Sequence, residues 1–207
     1  MFLTVAPLML VWLAEPLSHN SSLHTPTPTQ TSTPSNDFLA AAAYNRGYAA
    51  EEKGDYQKAI TEYSEAIRLK PDYAQAFNNR GIAYKDLQQY DKAISDYTEA
   101  VRLQPDYAQA FNDRGIAYKA LQQYDKAVSD YTEAIRLQPG FAHAFYNRGL
   151  AYGYLKQYEK ALADHSEYIR LKPDDPDGYR NRANCYEKLG NAAAATRDRA
   201  KAKELTK

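Results

Sequence analysis

Residues 74–107 read AQAFNNRGIAYKDLQQYDKAISDYTEAVRLQPDY, and residues 108–141 read AQAFNDRGIAYKALQQYDKAVSDYTEAIRLQPGF. The two segments differ at only six positions over a displacement of 34 residues. Near-identity at a fixed spacing indicates an array of one structural unit. The same frame extends backward over 40–73 and forward over 142–175, and a degenerate copy fills 176–207. We therefore expect five units, and we number the places within each unit from its first residue.

Each unit contains two stretches with the spacing of an amphipathic helix. In the second unit, Phe77, Tyr84 and Leu87 lie on one face of the first stretch, and Tyr90 and Tyr97 lie on one face of the second. A proline ends the second stretch in four units, at Pro71, Pro105, Pro139 and Pro173. The expected N-caps are Asp55 and Asn191 within a unit, and Asp72, Asp106 and Asp175 between units. The pattern predicts an all-α chain of helix pairs.

The recurring residues resemble those of a known family. Phe77, Arg80, Gly81 and Tyr84, followed by Ala93, Tyr97, Ala100 and Pro105, match the tetratricopeptide repeat in its bacterial Arg-Gly variant. The resemblance implies an α-solenoid of stacked antiparallel helix pairs with a right-handed superhelical twist, whose first helices line a concave groove. Because a fold alone does not determine function, the groove is where a function must be sought.

The first 36 residues differ in composition from the units that follow. Residues 1–17 are an apolar leader without Lys or Arg, shorter than the roughly 20 residues that span a bilayer. The leader also lacks the basic start of a signal peptide. Residues 18–36 are rich in Ser, Thr and Pro, which predicts a disordered linker before a repeat domain over 37–207. We favour a cytoplasmic location, and export or membrane association stays open only through residues 1–17.

Charge and cysteine content exclude several classes of function. The 26 Lys plus Arg balance the 26 Asp plus Glu, so no global positive field would attract nucleic acid. The single cysteine excludes a disulfide framework and a cysteine-based zinc site. His143 has no second ligand at helical spacing, and no phosphate loop or catalytic triad is recognisable. We expect no enzyme, no cofactor, no metal and no nucleic-acid partner.

Charged residues recur at two places of the unit. Arginine occupies place 7, and an acid occupies place 23 in the first four units. A half-buried ladder of ion pairs explains this register most economically, because buried charges are normally paired. A row of ligand-binding arginines is the alternative. Two lone residues, Cys185 and His165, stand where other units have Ala and Tyr, so we interpret both as core residues.

The candidate partner-binding residues lie on the first helices, at places 2, 5, 6, 9, 12 and 13. By the resemblance, this stripe faces the groove. Its amide, apolar and aromatic side chains suit a bound peptide or partner helix. The asparagines at place 6 have an equally good structural interpretation, in which they bridge adjacent first helices. The candidates are Tyr44, Tyr48, Gln75, Asn78, Asn79, Ile82, Lys85, Gln109, Asn112, Ile116, Lys119, His143, Tyr146, Asn147 and Tyr154.

These residues predict a non-enzymatic protein-interaction scaffold that holds a peptide or partner helix in its groove. Related domains that grip the acidic tails of chaperones use a defined set of Lys, Asn and Arg. Only Asn79 matches that set here, and Asp113 would repel a carboxylate, so a chaperone-tail clamp is not expected. Two alternatives stay open: a structural spacer or self-assembling module, and an accessory or assembly factor of a larger complex.

Overall fold

The computed structural model describes residues 34–206, and this part of the chain contains ten α-helices. They are α1 (Asn36–Glu51), α2 (Tyr56–Leu69), α3 (Ala74–Asp86), α4 (Tyr90–Leu103), α5 (Ala108–Ala120), α6 (Tyr124–Leu137), α7 (Ala142–Tyr154), α8 (Tyr158–Leu171), α9 (Pro176–Lys188) and α10 (Ala192–Leu205). Consecutive helices pair as hairpins, and the hairpins stack as the expected α-solenoid. The predicted leader and most of the predicted linker lie outside the described residues. No helix within 34–206 is long and apolar enough to cross a membrane.

The first helix begins slightly earlier than the sequence suggested. The Ser35 side chain accepts a hydrogen bond of 3.3 Å from the backbone N–H of Phe38, so Ser35 is the N-cap of α1. Such a cap satisfies one of the backbone donors that a helix start leaves free. Residues 35 and 36 therefore belong to the capped helix rather than to a linker that ends at residue 36.

The predicted helix caps are correct within units and partly wrong between them. Side chains of Asp55, Asn191 and Asp175 accept the expected capping hydrogen bonds. The prediction for Asp72 and Asp106 is wrong, because α3 and α5 start one residue later, after Tyr73 and Tyr107. Neither tyrosine gives a side-chain cap within the described structure. The backbone carbonyls of these tyrosines start the helices by accepting from Phe77 and Phe111.

A glycine and a buried ring tie the two helices of each of the first four hairpins together. Gly115 on α5 faces Tyr131 on α6, where a Cβ on the glycine would lie 2.6 Å from the ring. The other three pairs are Gly47 with Tyr63, Gly81 with Tyr97 and Gly149 with His165, all with the same close approach. The glycine of the Arg-Gly signature is thus required because the ring occupies the space of its missing side chain.

The stacking of hairpins creates one inner surface. Each first helix contacts the first helix of the next hairpin, from α1 to α3 and onward to α9. Among the described residues, no two second helices are in comparable contact. The first helices therefore line the inner, concave side of the stack, as the resemblance implied.

The ion-pair ladder expected from the sequence is present. Arg80 donates from Nη2 and Nε to both carboxylate oxygens of Asp96, at 2.7 and 2.8 Å. Its Nη1 donates to Ser64 Oγ of the preceding hairpin at 3.0 Å. All three guanidinium nitrogens of Arg80 are thus engaged inside the solenoid, which argues against a ligand-binding role for this arginine. Arg46 of the first hairpin differs, because it is 55% exposed and bonds Glu62 through Nε alone. The other ion pairs are Arg46–Glu62, Arg114–Asp130, Arg148–Asp164 and Arg182–Asp198, of which the last was missed in the degenerate unit.

Candidate functional site

The concave surface holds an open cavity of about 640 Å³ next to the turns inside the hairpins, which we call the central groove. It is built from the ends of α3, α5 and α7 and from the turns and helix starts that follow α3 and α5. Lysines, tyrosines and an isoleucine dominate its surface. The lining residues are Lys85, Asp86, Gln88, Tyr90, Ile116, Lys119, Ala120, Gln122, Tyr124 and Tyr154.

Two tyrosines form a stacked pair at one wall of the central groove. The rings of Tyr124 and Tyr154 are 4.8 Å apart between centroids and are inclined by only 9°. Tyr154 is nevertheless 62% exposed. Stacking holds the ring in place, so little conformational entropy would be lost when a partner covers it. Rigid exposed aromatic rings of this kind are typical anchors of protein interfaces.

Lys119 is the most unusual charge in the central groove. Its Nζ donates to Asn147 Oδ1 at 3.3 Å, and burial lowers the pKa of its ammonium group. Lys85 stands at the same place one repeat earlier and pairs with Asp86 Oδ1 at 3.1 Å. The residue after Lys119 is Ala120, and no carboxylate of residues 34–206 forms an ion pair with Lys119. The groove therefore carries a half-buried positive charge without its counter-charge.

The expected exposure of Asn78 and Asn112 does not hold. They are only 2% and 3% exposed, because place 5 lies where one first helix packs against the next. Asn112 Oδ1 accepts from Asn147 Nδ2 at 3.2 Å, and Asn79 Nδ2 donates to Tyr44 Oη at 2.8 Å. The structure thus shows the place-6 asparagines of α3 and α7 as bridges between adjacent first helices.

The four tyrosines on the groove stripe differ in their surroundings. Tyr44 stacks on Tyr73 with centroids 5.1 Å apart, and Tyr146 packs on Tyr168 at 4.9 Å. Both are half-buried parts of the packing. Tyr48 is 50% exposed and stands apart from the central groove, which leaves Tyr154 as the exposed tyrosine inside it.

The remaining candidates lie along the groove rather than at one point. Gln75, Gln109 and His143 are exposed at the starts of α3, α5 and α7. Ile82 and Ile116 are half-buried and pack on the hairpin cores, and Ile116 also lines the central groove. The structure therefore brings together four of the predicted residues, namely Lys85, Ile116, Lys119 and Tyr154.

Several residues of the central groove lie outside the stripe of first-helix places that the sequence pattern indicates. Tyr90 and Tyr124 start the second helices and recur at the same place of their units, a pattern typical of packing residues. Gln88 and Gln122 occupy the turns with positive φ of 58° and 60°, where units one and five have glycine. Alignment of these turns with Gly54 and Gly190 was the signal that could have located them.

Asp113 stands in the polar layer between α3 and α5, where other units have asparagine. Its Oδ1 accepts from Gln109 Nε2 at 2.9 Å and from Asn112 Nδ2 at 3.3 Å. Its Oδ2 is buried without a hydrogen-bond partner in the described structure, and the same holds for Asn78 Oδ1. Burial raises the pKa of the Asp113 carboxyl, although Gln109 and Lys85 act in the opposite direction.

Replacing Asp113 with asparagine is expected to stabilise the protein at neutral pH by about 1 kcal/mol, because a buried acceptor that lacks a partner is removed. A raised folded-state pKa means that Asp113 weakens the native state as pH rises above about 4. Thermal unfolding by circular dichroism should therefore show the gain at pH 8 and little gain near pH 4. Asp106→Asn, at an exposed turn, is the control. A gain that is the same at both pH values would contradict this account.

Neither a metal-ligating cluster nor a reactive thiol is found among the described residues. Within 34–206, no group of three or more His, Cys, Asp or Glu side chains could hold a metal ion. Cys185 is buried, which raises the pKa of its thiol to about 11, so it is a poor nucleophile at neutral pH. The central groove itself presents charged, amide and aromatic side chains.

Comparison with known proteins identifies the repeat. The tetratricopeptide repeat model matches residues 74–107, 108–141 and 142–175, and a second TPR repeat model matches residues 47–88. Together the matches span 47–175, which is more than half of the chain. No curated protein matches the sequence.

Solved structures of similar fold include MamA and YrrB. A crystal structure of MamA is 26% identical, covers 77% of this chain and 94% of its own, and has a TM-score of 0.74. MamA from Desulfovibrio magneticus RS-1 is 21% identical with a TM-score of 0.76, covering 81% of this chain and 95% of its own. YrrB, titled a TPR protein with an unusual peptide-binding site, is 20% identical with a TM-score of 0.69, covering 80% and 86%. The last two likenesses concern the fold alone.

Proposed function

Because the chain belongs to the tetratricopeptide repeat family, a family of protein-interaction scaffolds, we propose that its central groove binds a segment of a partner polypeptide and performs no catalysis. The peptide-binding site described for YrrB, which shares the fold, is in line with this proposal. The segment can be an extended peptide or one face of a partner helix. The residues of the central groove determine which side chains it must present.

The proposal is carried by one observation: the ammonium group of Lys119 is half-buried and forms no ion pair in the described structure. A half-buried ammonium group without a carboxylate is costly, since burial removes water that nothing charged replaces. A carboxylate of the partner would supply the missing charge in a partly desolvated setting, where charge-assisted hydrogen bonds are strong. In the preceding repeat, Asp86 forms an ion pair with Lys85. Lys119 is therefore the groove lysine that lacks a carboxylate. We infer that the partner presents Asp, Glu or a free C-terminus to Lys119.

The tyrosine pair and Ile116 define the second requirement on the partner. Tyr154 is exposed and held by Tyr124, and Ile116 adds an apolar surface on α5. An apolar or aromatic side chain next to the acid would bury this surface, at a gain of about 25 cal/mol for each Å² removed from water. Gln75, Gln109, His143 and Tyr48 remain proposed contacts for the rest of a longer segment.

Replacing Lys119 with methionine is expected to weaken partner binding about tenfold, because one charge-assisted hydrogen bond is lost while the apolar stem is kept. Peptides selected from a displayed random library on the full-length chain provide the ligands, and calorimetric titration gives their affinities. We expect an acid beside an aromatic or aliphatic residue in the selected peptides, and an affinity that falls with salt.

Lys126→Met is the matched control for this experiment. Lys126 belongs to the same repeat, is exposed on α6 and lies over the Tyr118 ring at 5.3 Å, away from the central groove. Its replacement should leave the affinity unchanged. Equal affinity of wild type and Lys119→Met would contradict the proposal. A failure to select any peptide, together with concentration-dependent sedimentation, would instead favour the self-assembling module.

A further inference from the structure

The fourth hairpin departs from the first three at two places that face each other. At place 24, His165 replaces the buried tyrosine, and at place 12, Gly153 replaces a long charged side chain. In the first hairpin these two places meet, because Tyr63 Oη donates to Glu51 Oε2 at 2.6 Å. Both members are shortened in the fourth hairpin, so space must open between α7 and the helices packed on it.

The structure shows a pocket of about 260 Å³ at this point, which we call the His165 pocket. Leu150, Tyr154 and Tyr158 give it apolar and aromatic walls. His165 and Cys185 are its most buried lining residues, at 2% and 6% exposure. The pocket is therefore an open recess of side-chain size, with His165 and Cys185 among its lining residues.

The imidazole of His165 lacks any polar partner in the described structure. None of the hydrogen bonds formed by residues 34–206 involves it, and its Nδ1 is buried without a partner. Burial, with a smaller effect of Arg182, lowers the pKa of His165 to about 4, so the ring is neutral at physiological pH. A neutral imidazole offers one donor and one acceptor, and leaving a buried one unsatisfied costs about 1–3 kcal/mol. Nδ1 itself is closed to solvent, so the other ring nitrogen, Nε2, which also forms no hydrogen bond within residues 34–206, is the one that a ligand in the pocket can reach.

The His165 pocket adjoins the central groove. Tyr154 lines both cavities, with the central groove on the side of α5 and the pocket on the side of α9. Asn181 and Asn184 of α9 also line the pocket and offer amide groups to a bound backbone. A partner segment that covers Tyr154 in the central groove would thus bring its neighbouring residues to the mouth of the pocket.

We propose that the His165 pocket binds a tyrosine side chain of the partner segment, with the phenol ring between the aromatic walls and its hydroxyl hydrogen-bonded to His165. This inference rests on the proposed function and adds an anchor to it. In the first hairpin the hydroxyl of Tyr63 lies between Glu51 and Asn79, and the residues at the corresponding places, Gly153 and Asn181, both line the His165 pocket. The fourth hairpin leaves the place of the hydroxyl free, so a phenol from outside complements the recess.

The test uses the full-length chain and two small probes, N-acetyltyrosinamide and N-acetylphenylalaninamide, which differ by one hydroxyl group. In amide-detected NMR titrations, we expect the tyrosine probe to shift the signals of Gly153, His165 and Cys185. It should bind about fivefold more tightly than the phenylalanine probe, the ratio that one net hydrogen bond gives.

His165→Tyr is the decisive variant, because it fills the recess with the residue that three other hairpins already contain. The glycine opposite, Gly149, stands as close to His165 as the other glycines stand to their tyrosines, so the variant should fold with an unchanged melting temperature. We expect that this variant no longer binds the tyrosine probe. Gly153→Lys, which restores the lysine of the second and third hairpins, should weaken the probe as well.

Several outcomes would overturn the pocket proposal. The proposal fails if the tyrosine probe does not bind the wild type, or if both probes bind with equal affinity. It also fails if the shifted signals lie away from Gly153 and Cys185, or if the His165→Tyr variant still binds the probe. The Lys119→Met variant should bind the probe normally, since Lys119 does not line the pocket. Selected peptides that respond to Lys119→Met but not to His165→Tyr would leave the groove proposal intact and refute the pocket alone.

Discussion

Replacing Gly115 with alanine is expected to lower the free energy of unfolding by about 2 kcal/mol. The new Cβ would lie 2.6 Å from Tyr131 Cε1 and 2.9 Å from Cδ1. The ring is completely buried, so it has no open space into which it could move. Overpacking of this kind costs up to about 3 kcal/mol, while alanine recovers up to about 1 kcal/mol through its better helix propensity. Urea unfolding followed by circular dichroism measures the difference.

Gly153→Ala is the matched control, because this glycine also lies in a first helix but faces open space. No described atom outside its own helix lies within 4 Å of an added Cβ. The substitution should therefore leave stability unchanged or raise it by about 0.5 kcal/mol. If Gly115→Ala were as stable as Gly153→Ala, the contact between glycine and tyrosine would not be what sets the helix spacing.

The fold was predictable from the sequence because the same signals recur in every unit. A single proline or glycine is a weak boundary signal, but Pro71, Pro105 and Pro139 mark the same point of successive units. The expected caps at Asp72 and Asp106 failed for a local reason. Tyr73 and Tyr107, whose side chains form no capping hydrogen bond, occupy the N-cap place, so nothing in the side-chain chemistry marks where these helices start.

The sequence predicted which side of the first helices faces the groove, but not how deeply the side chains on that side are buried. Helical spacing states which way Asn78 and Asn112 point from their own helices, and this direction was toward the concave side. It does not state how closely α3 approaches α5, or α5 approaches α7, and these two contacts bury Asn78 and Asn112. Burial at a repeat interface is a property of two helices together, so a pattern read along one helix misses it.

The charges and rings of the site show a second limit. The exchange of Asp86 for Ala120 is visible in the sequence, but only the structure shows that Lys85 pairs with Asp86 and Lys119 has no such pair. Likewise, the interpretation of His165 as a core residue is correct in its burial. The sequence did not show that the shorter side chain leaves a pocket beside it.

Asp130→Ala is expected to destabilise the protein by about 2–3 kcal/mol. Arg114 donates to Asp130 Oδ1 at 2.7 Å and to Oδ2 at 2.8 Å, and both side chains are largely buried, at 16% and 7% exposure. Removing the acid leaves a guanidinium group in the interior without its counter-charge. Breaking a fully buried pair costs about 3–5 kcal/mol, and the partial exposure of Arg114 reduces that figure.

Glu133→Ala, on the same helix, is the control that separates the effect of burial from the effect of removing a charge. Glu133 pairs with Arg136 at 2.6 Å, but Arg136 is 65% exposed, and exposed pairs of this kind contribute less than about 0.5 kcal/mol. Each variant removes one carboxylate of α6, whose partner is Arg114 of α5 in one case and Arg136 of α6 in the other. The net charge therefore changes equally in both.

The position of Arg114 between hairpins adds a second expectation. Its Nη1 donates to Thr98 Oγ1 of α4 at 3.2 Å, so the pair with Asp130 also holds α5 against the preceding hairpin. In a repeat protein, stability is close to a sum of unit and interface contributions, and a weakened interface reduces cooperativity. Urea unfolding of Asp130→Ala should therefore show a lower midpoint and a smaller slope than that of Glu133→Ala. Equal midpoints for the two variants would mean that the ladder of buried ion pairs does not stabilise the stack, and that apolar packing alone holds the hairpins together.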